Sequence, residues 1–124
     1  MNISISDNVS NDSFAISQTI LNVSKELGLS QSQLGEILGI SQPSVSSLLK
    51  GELPIAKDSK TFELCVLLVQ FYVSLDSLIS ESETQQKWLN TLNAELGDKP
   101  INLLKKLEGF INVKNYLDNY RGAI

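Results

Sequence analysis

Between Ser41 and Gly51 the chain sets out hydrogen-bonding side chains at helical spacing: Ser41, Gln42, Ser44, Ser46, Ser47 and Lys50. These residue types suit recognition better than bond making. A Gln can pair in bidentate fashion with the edge of adenine, Ser is a versatile but weakly discriminating partner, and a Lys ammonium suits phosphate. Catalysis has little to draw on, because the 124 residues contain no His and one Cys. That removes the commonest general base, any thiol–imidazole pair, and the ligands of a structural zinc. Cys65 sits in an apolar run, 64–73, and reads as a small buried hydrophobe. We expect no enzyme, no metal and no cofactor.

The elements that must position those polar residues are legible around them. Leu34, Ile37 and Leu38 precede Gly39, and Ile40, Val45, Leu48 and Leu49 follow it. That is helical spacing on both sides of a break. Gly39 falls where one helix must stop and turn, Gly35 is small where two helices must cross, and Ser30 and Ser41 each precede a helix as caps. Pro43 lies in the first turn of the second helix, where its missing N–H costs nothing. The segment 30–51 is the sequence form of a helix-turn-helix, whose second helix can enter a DNA major groove.

Charge limits that reading. The net charge is −4 and the pI is about 4.7. From Phe14 to Lys60, Lys25, Lys50, Lys57 and Lys60 are balanced by Glu26, Glu36, Glu52 and Asp58. Most affinity for DNA comes from neutralising phosphates. A neutral monomer should bind weakly, so two copies or a bound partner must supply the rest; otherwise the domain serves as a scaffold.

The rest of the chain reads as helices and turns. Residues 1–12, rich in Asn, Ser and Asp, are expected to be a loose arm. A first helix, 14–27, carries Ile16, Ile20, Val23 and Leu27 and ends at Gly28. After a loop containing Pro54, Asp58 or Ser59 caps a long helix, 61–78, apolar on nearly every side. A helix apolar all round needs cover all round. We assign its surplus to homodimerisation through Phe62, Val66, Val69, Phe71 and Tyr72. The apolar run inside it is too short to span a bilayer, and the sequence contains no basic-then-apolar leader with a small-residue cleavage site, so a cytoplasmic protein without membrane contact is expected. A helix carrying Trp88 and Leu89 follows, then a turn, a helix 101–107 opened by Pro100, a break at Gly109, and a last helix, 110–120. No period-2 alternation appears, so the fold class expected is all-α: an N-terminal helix-turn-helix bundle, a long apolar linking helix and a small C-terminal helical domain. The boundaries drawn are 1–12, 13–80 and 81–124.

Two resemblances sharpen this. Gln31, Gly35, Gly39, Val45 and Leu48 match the pattern of the phage-repressor or Xre type of DNA-binding domain, over about 14–79. The resemblance implies that Gln31 touches phosphate, that Gln42, Ser44, Ser46 and Ser47 face the groove of operator DNA beside Ser41, and that Lys50 meets the backbone. Downstream, Trp88, Leu89, Asn93, Leu96, Gly97, Pro100, Leu103, Leu104, Gly109, Val113 and Leu117 resemble the toxin-binding domain of the MbcA/ParS/Xre antitoxins. That family usually has Pro before the Asn, where this chain has Leu92, and often an acid before the Leu-Leu pair, where it has Asn102. The resemblance implies an antitoxin partnered with a RES-domain toxin, which degrades NAD. The C-terminal segment 116–124 would obstruct the toxin's cleft, and the complex would repress its own promoter. Toxin contacts implied on this chain are Trp88, Asn93, Tyr116, Tyr120, Arg121 and Ile124. A plain helix-turn-helix regulator, or an adaptor that has lost DNA binding, are the competing readings.

Overall fold

The computed structural model describes residues 5–122, with side-chain surroundings from Ser13 onward. Among them are seven helices: α1 (Ile5–Leu27), α2 (Gln31–Leu38), α3 (Gln42–Leu49), α4 (Lys60–Leu78), α5 (Ser82–Leu89), α6 (Pro100–Leu103) and α7 (Leu107–Gly122). The sole extended pairing among the described residues is the bridge between Asn93 and Asp98. The all-α expectation is met, with the helix-turn-helix at the N-terminal end and further helices behind it.

Local chemistry places the elements. Ser30 caps α2 in a reciprocal box: its hydroxyl accepts from the Gln33 N–H, and Gln33 Oε1 accepts from the Ser30 N–H at 2.9 Å. Ser59, of the two caps considered, opens α4 by accepting from the Phe62 N–H. Ser13 fastens the loop after α3 back onto α1, accepting from the Ile55 N–H at 2.8 Å in a buried setting. One of the last carbonyls of α1 is met from α5: Glu26 O accepts from the Ser82 hydroxyl and from Gln86 Nε2.

One continuous core runs the length of the molecule. It includes Ile20, Leu27, Leu34, Leu38, Val45, Leu48, Leu68, Phe71, Leu75, Leu89, Leu104, Phe110 and Leu117. Helix α4 is its axis, packing on α1, α2 and α7, while α1 also packs on α3 and α5. The core therefore crosses the boundary drawn at residue 80. Cys65 is fully buried within it, and burial pushes its thiol up to about 12, as suits an inert apolar position.

Three expectations change. The arm expected over 1–12 is helical from Ile5, because extending a helix already nucleated by its buried face costs little. Gly109 does not break the chain: it lies inside the first turn of α7, and α6 ends earlier than expected, at Leu103. Its role is close approach, since a Cβ there would lie 2.4 Å from the Leu103 carbonyl oxygen. Finally, α4 is not covered on all sides. It is long and apolar enough to cross a membrane by length and composition. In this fold its inner face, Leu64, Cys65, Leu68, Phe71 and Leu75, is spent on the protein's own core. Its outer face is covered by this chain only in part.

Candidate DNA- and partner-binding surfaces

The helix-turn-helix is held by close crossing of its two helices. Gly39 ends α2 in the left-handed region, φ 68°, and its N–H donates to the Gly35 carbonyl. A Cβ on Gly35 would sit 2.9 Å from Ile40 O and 3.3 Å from Val45 Cγ2, so only Gly lets the turn close. Val45 and Leu48 then anchor α3 with no exposure. On the opposite side Gln42 and Lys50 are exposed and Ser46 and Ser47 half-buried. Gln42, Ser46 and Lys50 are four residues apart, so they form one line along α3. Ser41 and Ser44 are partly engaged with each other: the Ser41 hydroxyl accepts from the Ser44 N–H and donates to the Ser44 hydroxyl. Gln31 is exposed at the first position of α2. Along this surface Lys50 is the one cation contributed by α3 and its caps, and Glu36 of α2 is paired with Lys105 at 3.5 Å.

The outer face of α4 carries a second surface. Phe62, Val66, Val69 and Val73 recur every three or four residues, so they share one stripe. The first three are half-buried and Val73 is 50% exposed. Of the residues assigned to dimerisation, one is overturned by its burial and one lies beside the stripe. Phe71 points the other way, is fully buried and meets Phe110 edge to face, with centroids 6.2 Å apart. Tyr72 turns toward α1, where burial, Asp76 and Glu26 raise its hydroxyl above the ordinary value. Hydropathy alone marked both as apolar; only the direction of the core separates them from the stripe.

The C-terminal region is organised by a turn. Asn93 Oδ1 accepts from the Glu95 and Leu96 N–H groups, and its backbone pairs with Asp98 and Gly97. The Asn93 side-chain carbonyl oxygen holds its own loop, and the residue stays half-exposed. Trp88 is half-buried against the core. Tyr116, Tyr120 and Arg121 lie on two sides of α7. Tyr120 donates to Glu95 Oε1 at 3.1 Å, with Tyr116 Oη 3.4 Å from the same oxygen. The Tyr116 hydroxyl first, then Glu95, push the Tyr120 hydroxyl up to about 12. Arg121 faces α4 instead. Its Nη1 donates to Ser74 Oγ at 3.0 Å, Ser74 donates to Asp118 at 2.7 Å, and Lys114 pairs with Asp118 at 2.8 Å. The Lys114 and Ser74 hydrogen bonds hold the Asp118 carboxyl below its ordinary range. These groups and Val69 and Val73 line an open groove of about 620 Å³. Ile124 lies outside the described residues.

Sequence reasoning missed Glu95, Ser74, Lys114 and Asp118. The four-residue spacing of Tyr116 and Tyr120 was visible, but Glu95 is 21 and 25 residues from them, and no local pattern pairs such positions.

Models of two protein families match separate parts of the chain. The model for the antitoxin Xre/MbcA/ParS C-terminal toxin-binding domain matches residues 74–122. A helix-turn-helix domain model matches residues 14–55. The first match begins at Ser74, inside α4, so that helix contributes to the toxin-binding module as well as to the helix-turn-helix core. No curated protein matches the chain.

Proposed function

We propose that this chain, which belongs to the Xre-type antitoxins, neutralises a RES-domain toxin that degrades NAD and represses its own promoter in the cytoplasm as a dimer or as a toxin complex. The observation that carries the reading is the toxin-binding module over 74–122, with Trp88, Tyr116, Tyr120 and Arg121 at its surface. Tyr120 and Arg121 are the tail residues assigned to the toxin, with Ile124 beyond them. Co-expression tests it: the adjoining toxin gene should arrest growth alone and not together with this chain. Arrest that persists despite soluble antitoxin would refute it.

Operator binding rests on α3. A single line of Gln42, Ser46 and Lys50 offers one cation per copy, which supports binding by two copies on a two-fold site. The stripe Phe62, Val66, Val69 and Val73 is the surface we assign to the second copy. Gln42→Ala should relax base preference, and Lys50→Ala should weaken all sequences alike, reducing the salt slope by about one. Val69→Asp with Val73→Asp should give a folded monomer by sedimentation that no longer shifts operator DNA in a gel. A dimer that survives both substitutions would move the interface elsewhere.

A further inference from the structure

Two carboxylates flank the C-terminal half of α7, and hydroxyl groups hold both. Asp118 accepts from Ser74 and also has its cations, Lys114 at 2.8 Å and Arg121 at 3.9 Å. Glu95 is held differently. Tyr120 Oη lies 3.1 and 3.4 Å from its two oxygens and Tyr116 Oη lies 3.4 Å from one, yet no lysine or arginine among the described residues forms an ion pair with it. Hydroxyl donors orient a carboxylate without cancelling its charge. An ionised carboxylate offers about four acceptor positions, so two donors leave room for more.

The surroundings of Glu95 suit a cation in a second way. The Tyr116 and Tyr120 rings meet edge to face, centroids 5.0 Å apart at 67°, so they present differently oriented π surfaces. With Asn119 they and Glu95 line a depression of about 290 Å³, and Tyr120 is 45% exposed beside it. A cation placed there would meet the carboxylate and an aromatic face together. A planar guanidinium can lie flat on a ring while its edge N–H groups meet the carboxylate in bidentate fashion, a geometry that the compact ammonium does not offer.

We propose that Glu95, Tyr116 and Tyr120 form a receptor for a cationic side chain on the toxin, arginine in preference to lysine. This rests on the antitoxin reading and names the chemistry of one contact within it. On this view Tyr120 and Arg121, adjacent in sequence, serve different surfaces: Tyr120 belongs to the receptor, and Arg121 to the groove along α4.

The test measures binding of full-length protein to the toxin encoded beside it, by calorimetry at low and high salt. Glu95→Gln keeps an acceptor for the tyrosines and removes the charge. It should weaken toxin binding about tenfold at low salt, a free-energy loss of the size expected for a hydrogen bond to a charged group. It should also flatten the salt dependence and leave the melting temperature unchanged. Tyr120→Phe keeps the ring and should lose only about twofold, whereas Tyr120→Ala should lose more. Unaltered affinity and salt slope in Glu95→Gln would overturn the receptor and leave the antitoxin reading standing. An affinity loss that tracks a lower melting temperature, with an unchanged salt slope, would also overturn it. Wild-type protein that does not bind the toxin at all would overturn the antitoxin reading, and the receptor with it.

Discussion

Gly109→Ala is expected to cost about 3 kcal/mol of folding stability, the upper part of the range for overpacking a close contact. Alanine is ordinarily favoured over glycine inside a helix by about 1 kcal/mol, so an exposed helical site would gain from this change. Here the new Cβ would lie 2.4 Å from Leu103 O and 3.1 Å from Leu103 C and Cα. Those are backbone atoms of the turn between α6 and α7, and no side-chain rotation relieves the overlap. The turn itself is held: Leu104 is fully buried and Phe110 N–H donates to Lys106 O at 2.8 Å. Relief therefore requires α7 to move off α6, and α7 also carries Phe110, Val113 and Leu117 into the core. A fall in melting temperature of about 10–15 °C should follow for a chain of this size. Gly122→Ala, where a Cβ meets nothing within 4 Å, provides the control and should leave the melting temperature nearly unchanged. Equal melting behaviour of the two variants would show that the α6–α7 approach is not as tight as the geometry states.

The second large effect is at Phe71. Truncation to Ala should cost about 3–5 kcal/mol, as for a large buried aromatic whose site cannot collapse. Its ring is fully buried and stands at 87° to Phe110. It joins α4, whose C-terminal end lies in the matched toxin-binding domain, to the helix that carries the tyrosines and Arg121. A small domain is stable by about 5–15 kcal/mol in all, so the loss is a large share of the total. Urea unfolding should show a midpoint far below wild type, and toxin and DNA binding should fail together. The outcome distinguishes core from interface: a Phe71→Ala protein that remains as stable as wild type but becomes monomeric would return Phe71 to the dimer surface.

Both cases show how far the residues could be read in order. Ser30, Gly35, Gly39, Ser41 and Pro43 act within a few positions of themselves, through caps, a left-handed turn and a tight crossing. Such effects are local, and the helix-turn-helix was therefore legible. Gly109 was legible as special but not in its reason, because the atom that forbids a side chain belongs to a turn whose path depends on packing. Helix α4 was legible as apolar all round, which says that it needs cover but not from which side.

The sequence by itself determined the helices, their caps, the turn at Gly39 and the two modules on which the antitoxin assignment rests, since each depends on propensities and spacings that survive without tertiary context. Tertiary structure decided which side of α4 is core and which is only partly covered. It also tied Asn93 to its own loop, set Tyr120 and Arg121 on separate surfaces, and brought Glu95 to the tyrosines. Those outcomes depend on contacts between residues far apart in the chain. Their partners are chosen by burial of the whole apolar surface at once, a sum that no local pattern records.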